Sequence, residues 1–183
     1  MNAATDSPTV ETYCLAGDGT VPNNAALPLV IYRGVLARME KDPKGDRAAA
    51  FETMFARNGW PDSWRNGIYP YHHYHSTAHE VLGIAAGSAR VRLGGEQGQT
   101  VEIRAGDVVV IPAGVAHRRE AASADLLVIG SYPRGQHPDV CKPGGTGREA
   151  ALRNIKAVPL PASDPVTGGS APLLECWRDA KRG

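Results

Sequence analysis

Net charge is almost absent from this chain, with 20 Lys and Arg against 19 Asp and Glu in 183 residues. Without a basic excess there is no electrostatic footprint for nucleic acid or an anionic membrane, and neither is expected as a partner. Long apolar runs are missing as well, so no stretch reaches the ~18 consecutive apolar residues of a membrane span. The opening MNAATDSPTVETY has neither a basic start nor an apolar run, and no signal peptide is expected in it. Cysteine is scarce. Cys14, Cys141 and Cys176 are an odd, widely spaced set with no CxxC, which argues against a disulfide framework and for free thiols in a reducing compartment. A cytoplasmic location is the expectation. Internal repeats and a compositional break between domains are also lacking, so residues 1–183 read as one domain.

Glycine and proline, by contrast, are plentiful at 21 and 14, which suits many short strands and tight turns. Strands are expected at 10–15 and 28–36, with KDPKGD at 41–46 as a solvated loop. The convincing early helix is 46–58, where Asp46 caps the start and Ala48, Phe51, Met54 and Phe55 form one apolar side. Gly59 and Pro61 stop it. Trp60 and Trp64 follow in a loop, and packing against that helix is the expected role of both. SARVRLGG alternates, with Ala89, Val91 and Leu93 inward, and TVEIR does the same with Val101 and Ile103. Gly94–Gly95 and residues 105–107 read as hairpin turns. VVVI at 108–111 does not alternate and should be buried on both sides, ending at Pro112. The last barrel strand is expected at 125–132. The whole reads as an all-β antiparallel sheet rolled into a jelly roll or barrel, its core at 28–132. Beyond it, Thr146 and Glu149 read as a capping box opening a short helix at 147–156. A proline-rich irregular arm then runs to the end and is expected to pack on its own barrel or on a partner subunit.

One stretch carries chemistry. In GIYPYHHYHSTAHEVLGIAAG, His73 and His75 lie two apart and face the same way on an extended segment. A turn through Ser76 and Thr77 is expected to bring Glu80 alongside them on the neighbouring antiparallel strand. His117, in GDVVVIPAGVAHRRE, offers a fourth ligand. A carboxylate inside an apolar barrel costs several kcal/mol unless it is paired or coordinated. Three imidazoles and a carboxylate suit one divalent transition metal such as Fe, Mn, Ni, Co or Zn. His79, adjacent to Glu80, is an alternative ligand. Parity places Tyr71 and Arg119 inward beside the ligands as candidate catalytic groups; Arg119 has two readings, an anchor for an anionic ligand or an ion pair with Glu80 or with a carboxylate elsewhere. Tyr69, Trp60 and Trp64 are candidates for the pocket mouth, while His72 and Tyr74 take the opposite face.

These segments resemble the two signature motifs of the cupin superfamily. Gly67, His73, His75, Glu80 and Gly87 match the first at every position, and Gly106, Pro112, Gly114 and His117 match the second. The asparagine that often closes the second motif is Ala121 here, a departure that touches a strand-end polar contact and not the ligands. FETMFARNGWPDSWRNGIYPYHHYHSTAHEVLG further resembles the bacterial YjlB-like cupins. The resemblance implies a double-stranded β-helix, a His₃Glu metal site and a homodimer that hides the barrel's edges. It implies a metal-dependent enzyme of dioxygenase or isomerase type acting on a small polar or anionic metabolite in the barrel. The alternative it leaves is a non-catalytic cupin that binds a sugar or an organic acid.

Overall fold

The computed structural model describes residues 9–36 and 45–180; the expected loop at 41–46 falls mostly outside them. Nine strands are described: β1 (Thr9–Leu15), β2 (Asn24–Arg33), β3 (Trp64–Asn66), β4 (Glu80–Ala86), β5 (Ser88–Leu93), β6 (Gln99–Arg104), β7 (Val108–Ile111), β8 (His117–Ala122) and β9 (Leu127–Ser131). Three helices accompany them, α1 (Arg47–Arg57), α2 (Arg148–Ala157) and α3 (Leu173–Ala180). The strands form two antiparallel sheets, a six-stranded one ordered β1-β2-β7-β4-β9-β3 and a three-stranded one ordered β6-β5-β8. This is the jelly-roll architecture expected from the sequence.

Side-chain parity explains which face meets what. On the six-stranded sheet Leu29, Ile31, Leu82, Ile84, Val109 and Ile111 look toward the three-stranded sheet and interdigitate with Val91, Leu93, Val101 and Ile103. Their neighbours Val30, Tyr32, Val81, Val108 and Val110 look the other way and are covered by Phe51, Phe55, Trp60, Leu173 and Trp177. The larger sheet is therefore apolar on both faces, which is why β7 reads VVVI without alternation. The smaller sheet has one wet face, and β5 alternates between buried inward positions and exposed or half-buried outward ones.

α1 begins where the sequence places it. Asp46 accepts from the backbone N–H groups of Ala48 and Ala49, leaving Ala48, Phe51, Met54 and Phe55 buried against the sheet. Gly59, at φ +82°, ends it. Helix and sheet approach closely at Gly83, where a Cβ would stand 2.7 Å from the Phe51 ring.

Several expectations are corrected. β2 starts earlier and ends sooner than 28–36, because a bulge opposite Cys14 absorbs Pro28 and Gly34 turns the chain at φ +66°. Residues 105–107 are not a hairpin turn: β6 and β7 lie in different sheets, so this corner is a crossover. The capping box does not form, since Gly147 is the N-cap of α2 and Glu149 falls one position short of the capping site. The arm is not irregular throughout; it ends in α3.

That arm docks on its own barrel through buried polar contacts. The Tyr32 hydroxyl donates to Asp164 Oδ2 at 2.6 Å, the same oxygen that accepts from the Leu173 N–H at 3.1 Å. Trp177 Nε1 donates to the Pro28 carbonyl at 2.8 Å and Trp60 Nε1 to the Ser163 carbonyl at 3.0 Å. Asp164 is fully buried, so each donor matters. Tyr32→Phe is expected to destabilise the chain by about 1–3 kcal/mol in urea unfolding without changing the sheet signal, by stripping a buried carboxylate of one partner. A loss below a few tenths of a kcal/mol contradicts this account of the docking.

Candidate metal centre

The ligand-bearing segments reach the barrel from both sheets. Glu80 opens β4 and shares the inward parity of Leu82 and Ile84. His117 opens β8 on the facing sheet. The 73–75 segment is not a hairpin partner of β4, as the sequence suggested. It bridges to the start of β8, His73 and His117 exchanging backbone hydrogen bonds at 3.2 and 3.0 Å, while Tyr74 pairs with Cys141. The chain crosses between the sheets at 76–79, so imidazoles and carboxylate converge from facing walls instead of standing side by side on one.

The structure brings His73, His75, Glu80 and His117 together. One ligand nitrogen from each histidine lies within 4.8 Å of the others, and all three residues are buried. Glu80 Oε2 faces His75 Nε2 at 3.4 Å and His117 Nε2 at 3.3 Å, yet this fully buried oxygen has no hydrogen bond among the described residues. Each Nδ1 is turned outward onto a backbone carbonyl: His73 to Tyr71 at 3.4 Å, His117 to Val115 at 3.2 Å, and His75 to Asp139 in a short contact. Nδ1–H donation of this kind fixes the tautomer and leaves the Nε2 lone pairs aimed at the centre. Three neutral imidazoles, one carboxylate and an orphaned buried oxygen fit a divalent transition metal.

The remaining residues named from the sequence lie elsewhere. His79 turns into the outer core, where its Nδ1 accepts from the Ala113 N–H at 2.9 Å and its ring packs 4.7 Å from Trp177. His72 sits on the far side of its segment, 3.6 Å from Glu96. Tyr71 stacks on Tyr69 outside the cavity, and Tyr69 rather than Tyr71 contributes to the wall. Arg119 keeps the inward parity of its partner Val91, but its guanidinium passes Gly67 and it is not among the lining residues. Glu80 pairs with the histidines, not with Arg119. Trp60 packs under α1, whereas Trp64 lines the cavity.

Two residues with no role read from the sequence complete the surroundings. The Tyr132 hydroxyl donates to Glu80 Oε1 at 3.1 Å and accepts from Trp64 Nε1 at 3.1 Å. Burial, and then the Glu80 charge, push that phenol up, so it stays a donor. Tyr132 continues the inward parity of Val128 on β9, and that pattern was there to be read. Asp139 carried no such signal, because it lies in irregular chain. Its carbonyl holds His75, and its carboxylate accepts from the Ser76 N–H, the Ser76 hydroxyl and the Cys141 thiol. Asp139 N–H donates in turn to Thr77 Oγ1 at 3.0 Å. Asp139→Ala is expected to weaken divalent-metal affinity by about 10–100-fold in competition with a chromophoric chelator. Unchanged affinity contradicts the positioning of His75 by this knot.

Electrostatics of the metal-free cluster follow from burial and pairing. Burial opposes ionisation of Glu80, but the His75 and His117 imidazoles outweigh it and hold the carboxyl well below its usual range. Burial also opposes charge on His75, yet Glu80 and the Asp139 carbonyl push it up to about 9. His73, buried and beside His117, is pushed down to about 3. The raised His75 value means its pairing steadies the metal-free fold fully below its ordinary value of 6.5 and is lost as pH rises through about 9. A metal must displace that proton. Metal binding near pH 7 is expected to release about one proton, with affinity falling up to about tenfold per unit as pH drops below 9. Calorimetry in buffers of different ionisation enthalpy measures this, and absence of proton release contradicts the pairing.

Known proteins resemble this chain in sequence. The family described as "Cupin domain" matches residues 65–130. "Uncharacterized protein YjlB" of Bacillus subtilis (strain 168) is 42% identical over 167 residues, covering 91% of this chain and 96% of that protein. Among solved structures, acireductone dioxygenase from Bacillus anthracis, with a cadmium ion in its active centre, aligns over 50% of this chain and 63% of its own, at 18% identity and a TM-score of 0.37. Bacillus subtilis oxalate decarboxylase, with Mn(II) centres, aligns over 44% of this chain and 22% of its own, at 23% identity and a TM-score of 0.34. This chain thus spans less than two thirds of either solved chain. With its two motifs, its facing sheets and a full-length relative of this identity, the chain belongs to the cupin superfamily, in the group that includes YjlB.

Proposed function

We propose that this metal-binding cupin is a metal-dependent enzyme acting on a small polar or anionic metabolite by dioxygenation, isomerisation or a related step. The observation that carries the reading is a cavity of about 250 Å³ opening directly onto His73, His75, Glu80 and His117, with Tyr132 on its wall. A purely structural metal site is closed by its ligands, whereas a catalytic one keeps coordination positions open toward a cavity. When bound, a divalent ion supplies Lewis acidity, and a redox-active one also electron transfer, at about two positions left by four protein ligands.

The chain's own side chains do the rest. Tyr132 Oη holds a proton beside Glu80 Oε1 and can give it to a ligand in the cavity, while Trp64 Nε1–H keeps the phenol oriented. Trp64, Ile68 and Leu82 exclude water from the inner wall. A homodimer, with the unpaired edges of the larger sheet covered by the second copy, belongs to the same proposal.

Tyr132→Phe keeps the cavity's shape and removes the proton. With protein loaded in turn with Fe, Mn, Ni, Co and Zn, oxygen uptake and product formation across hydroxy acids, keto acids and phenols are expected to reveal turnover. Tyr132→Phe then lowers kcat by about 100-fold or more at unchanged metal content. Ligand binding without turnover in every metal form contradicts the enzyme reading and favours a binding module.

A further inference from the structure

The cavity is built unevenly, and the unevenness says what fits in it. All its ionisable ligating groups lie at the inner end. Among the described lining residues the one cation outside that cluster is Arg65, and its guanidinium already makes two hydrogen bonds to Glu52, at 2.7 and 2.8 Å. The wall itself therefore offers a ligand's outer end no unpaired cation, and Lys142 stands beyond it at the rim, against the outer tyrosine, Tyr71.

The mouth is apolar instead. Large exposed apolar side chains among the described residues are Val10, Tyr69, Tyr71, Val140 and Leu152, and three of the five gather here. Tyr69 and Val140 line the opening, exposed by 46% and 56%. Tyr71 stacks on Tyr69 with ring centroids 4.9 Å apart and planes at 13°, and Lys142 Nζ lies 4.8 Å from the Tyr71 ring centre. Tyr69 also meets His73 edge to face, centroids 5.0 Å apart, so its ring is held in place beside a ligating residue. A rigid aromatic rim over a polar floor recognises a flat apolar body attached to a polar head.

We propose that the ligand of this cavity carries two adjacent oxygen donors at its inner end and a planar apolar body, the size of one aromatic ring, at its outer end. The proposal rests on the metal-centre reading above and deepens it. The volume bounds the size: about 250 Å³ lies just under the ~300–1,000 Å³ of pockets for drug-sized molecules, room for one ring and its chelating group but not for a disaccharide. Aliphatic dicarboxylates lack the face that the rim would cover.

Salicylate and malonate test this as a matched pair, because both close six-membered chelates through two oxygens and only one carries a ring. Titrated into Co(II)-loaded protein and followed by the visible Co(II) spectrum and tryptophan fluorescence, salicylate is expected to bind about tenfold or more tightly than malonate. Tyr69→Ala and, separately, Val140→Ser are expected to erase most of that ratio, Val140→Ser while leaving Co(II) affinity unchanged. Equal or tighter malonate binding, a ratio untouched by both substitutions, or a Co(II) spectrum that neither probe perturbs overturns the proposal. Failure of the wild-type protein to take up Co(II) at all instead overturns the metal-centre reading beneath it.

Discussion

A carboxylate sits almost wholly out of solvent at the inner end of the barrel. Glu80, at 3% exposure, lies on the inner face of a strand whose next inward neighbours are Leu82 and Ile84. A lone ionised group there costs several kcal/mol, comparable with the whole stability of a small domain. Three imidazoles and a phenol gathered around it offset that cost, and they impose strict placement on the surrounding chain. Both sheets, the crossing at 76–79 and the 139–141 segment read as the means of meeting that placement. The fold brings donors from facing walls, and backbone carbonyls at Tyr71, Val115 and Asp139 turn each ring so that the same nitrogen looks inward.

Rigidity around the centre comes from the opposite face of the larger sheet. Packing by α1, α3, Trp60 and Trp177 buries that face, so β4 and β7 are clamped between two apolar layers. Glu80 pairs with Ile111 at the very end of β7, just before Pro112 turns the chain toward His117. Two of the four donors are therefore anchored within a few residues of one strand pair in the core. The other two ride on less regular chain and depend on the hydrogen bonds of Asp139 and on the bridge to β8. Motion in the centre should therefore concentrate on the His73–His75 side, next to the cavity mouth.

Much of this was legible before any coordinates. Period-two patterns in β5 and β6 and the unbroken VVVI of β7 report directly which faces are wet, and the strands stand where those patterns put them. Motif spacing pointed to the same four residues that the structure gathers. What could not be read was how segments outside the ladders are tied. The 73–75 stretch looked like half of a hairpin because a turn follows it, yet its partner is a bridge formed far along the chain. The capping box failed by one position because Gly147, with φ +94°, takes the cap. α3 was hidden by the prolines and glycines before it, although Leu173, Leu174 and Trp177 all come to lie buried. Parity alone gave Tyr71 and Arg119 an inward direction, but it does not say how far along the barrel axis a side chain reaches. Tyr132 shares the same kind of parity and does reach Glu80.

The central claim is that a single cation is held by His73, His75, Glu80 and His117. Anomalous scattering at metal absorption edges, from crystals of protein purified without chelators, tests it most directly. The account requires one peak per chain at about 2.0–2.2 Å from three Nε2 atoms and a Glu80 oxygen. A fully ordered site with no anomalous peak, or a peak bound by other residues while these four stay uncoordinated, would contradict it.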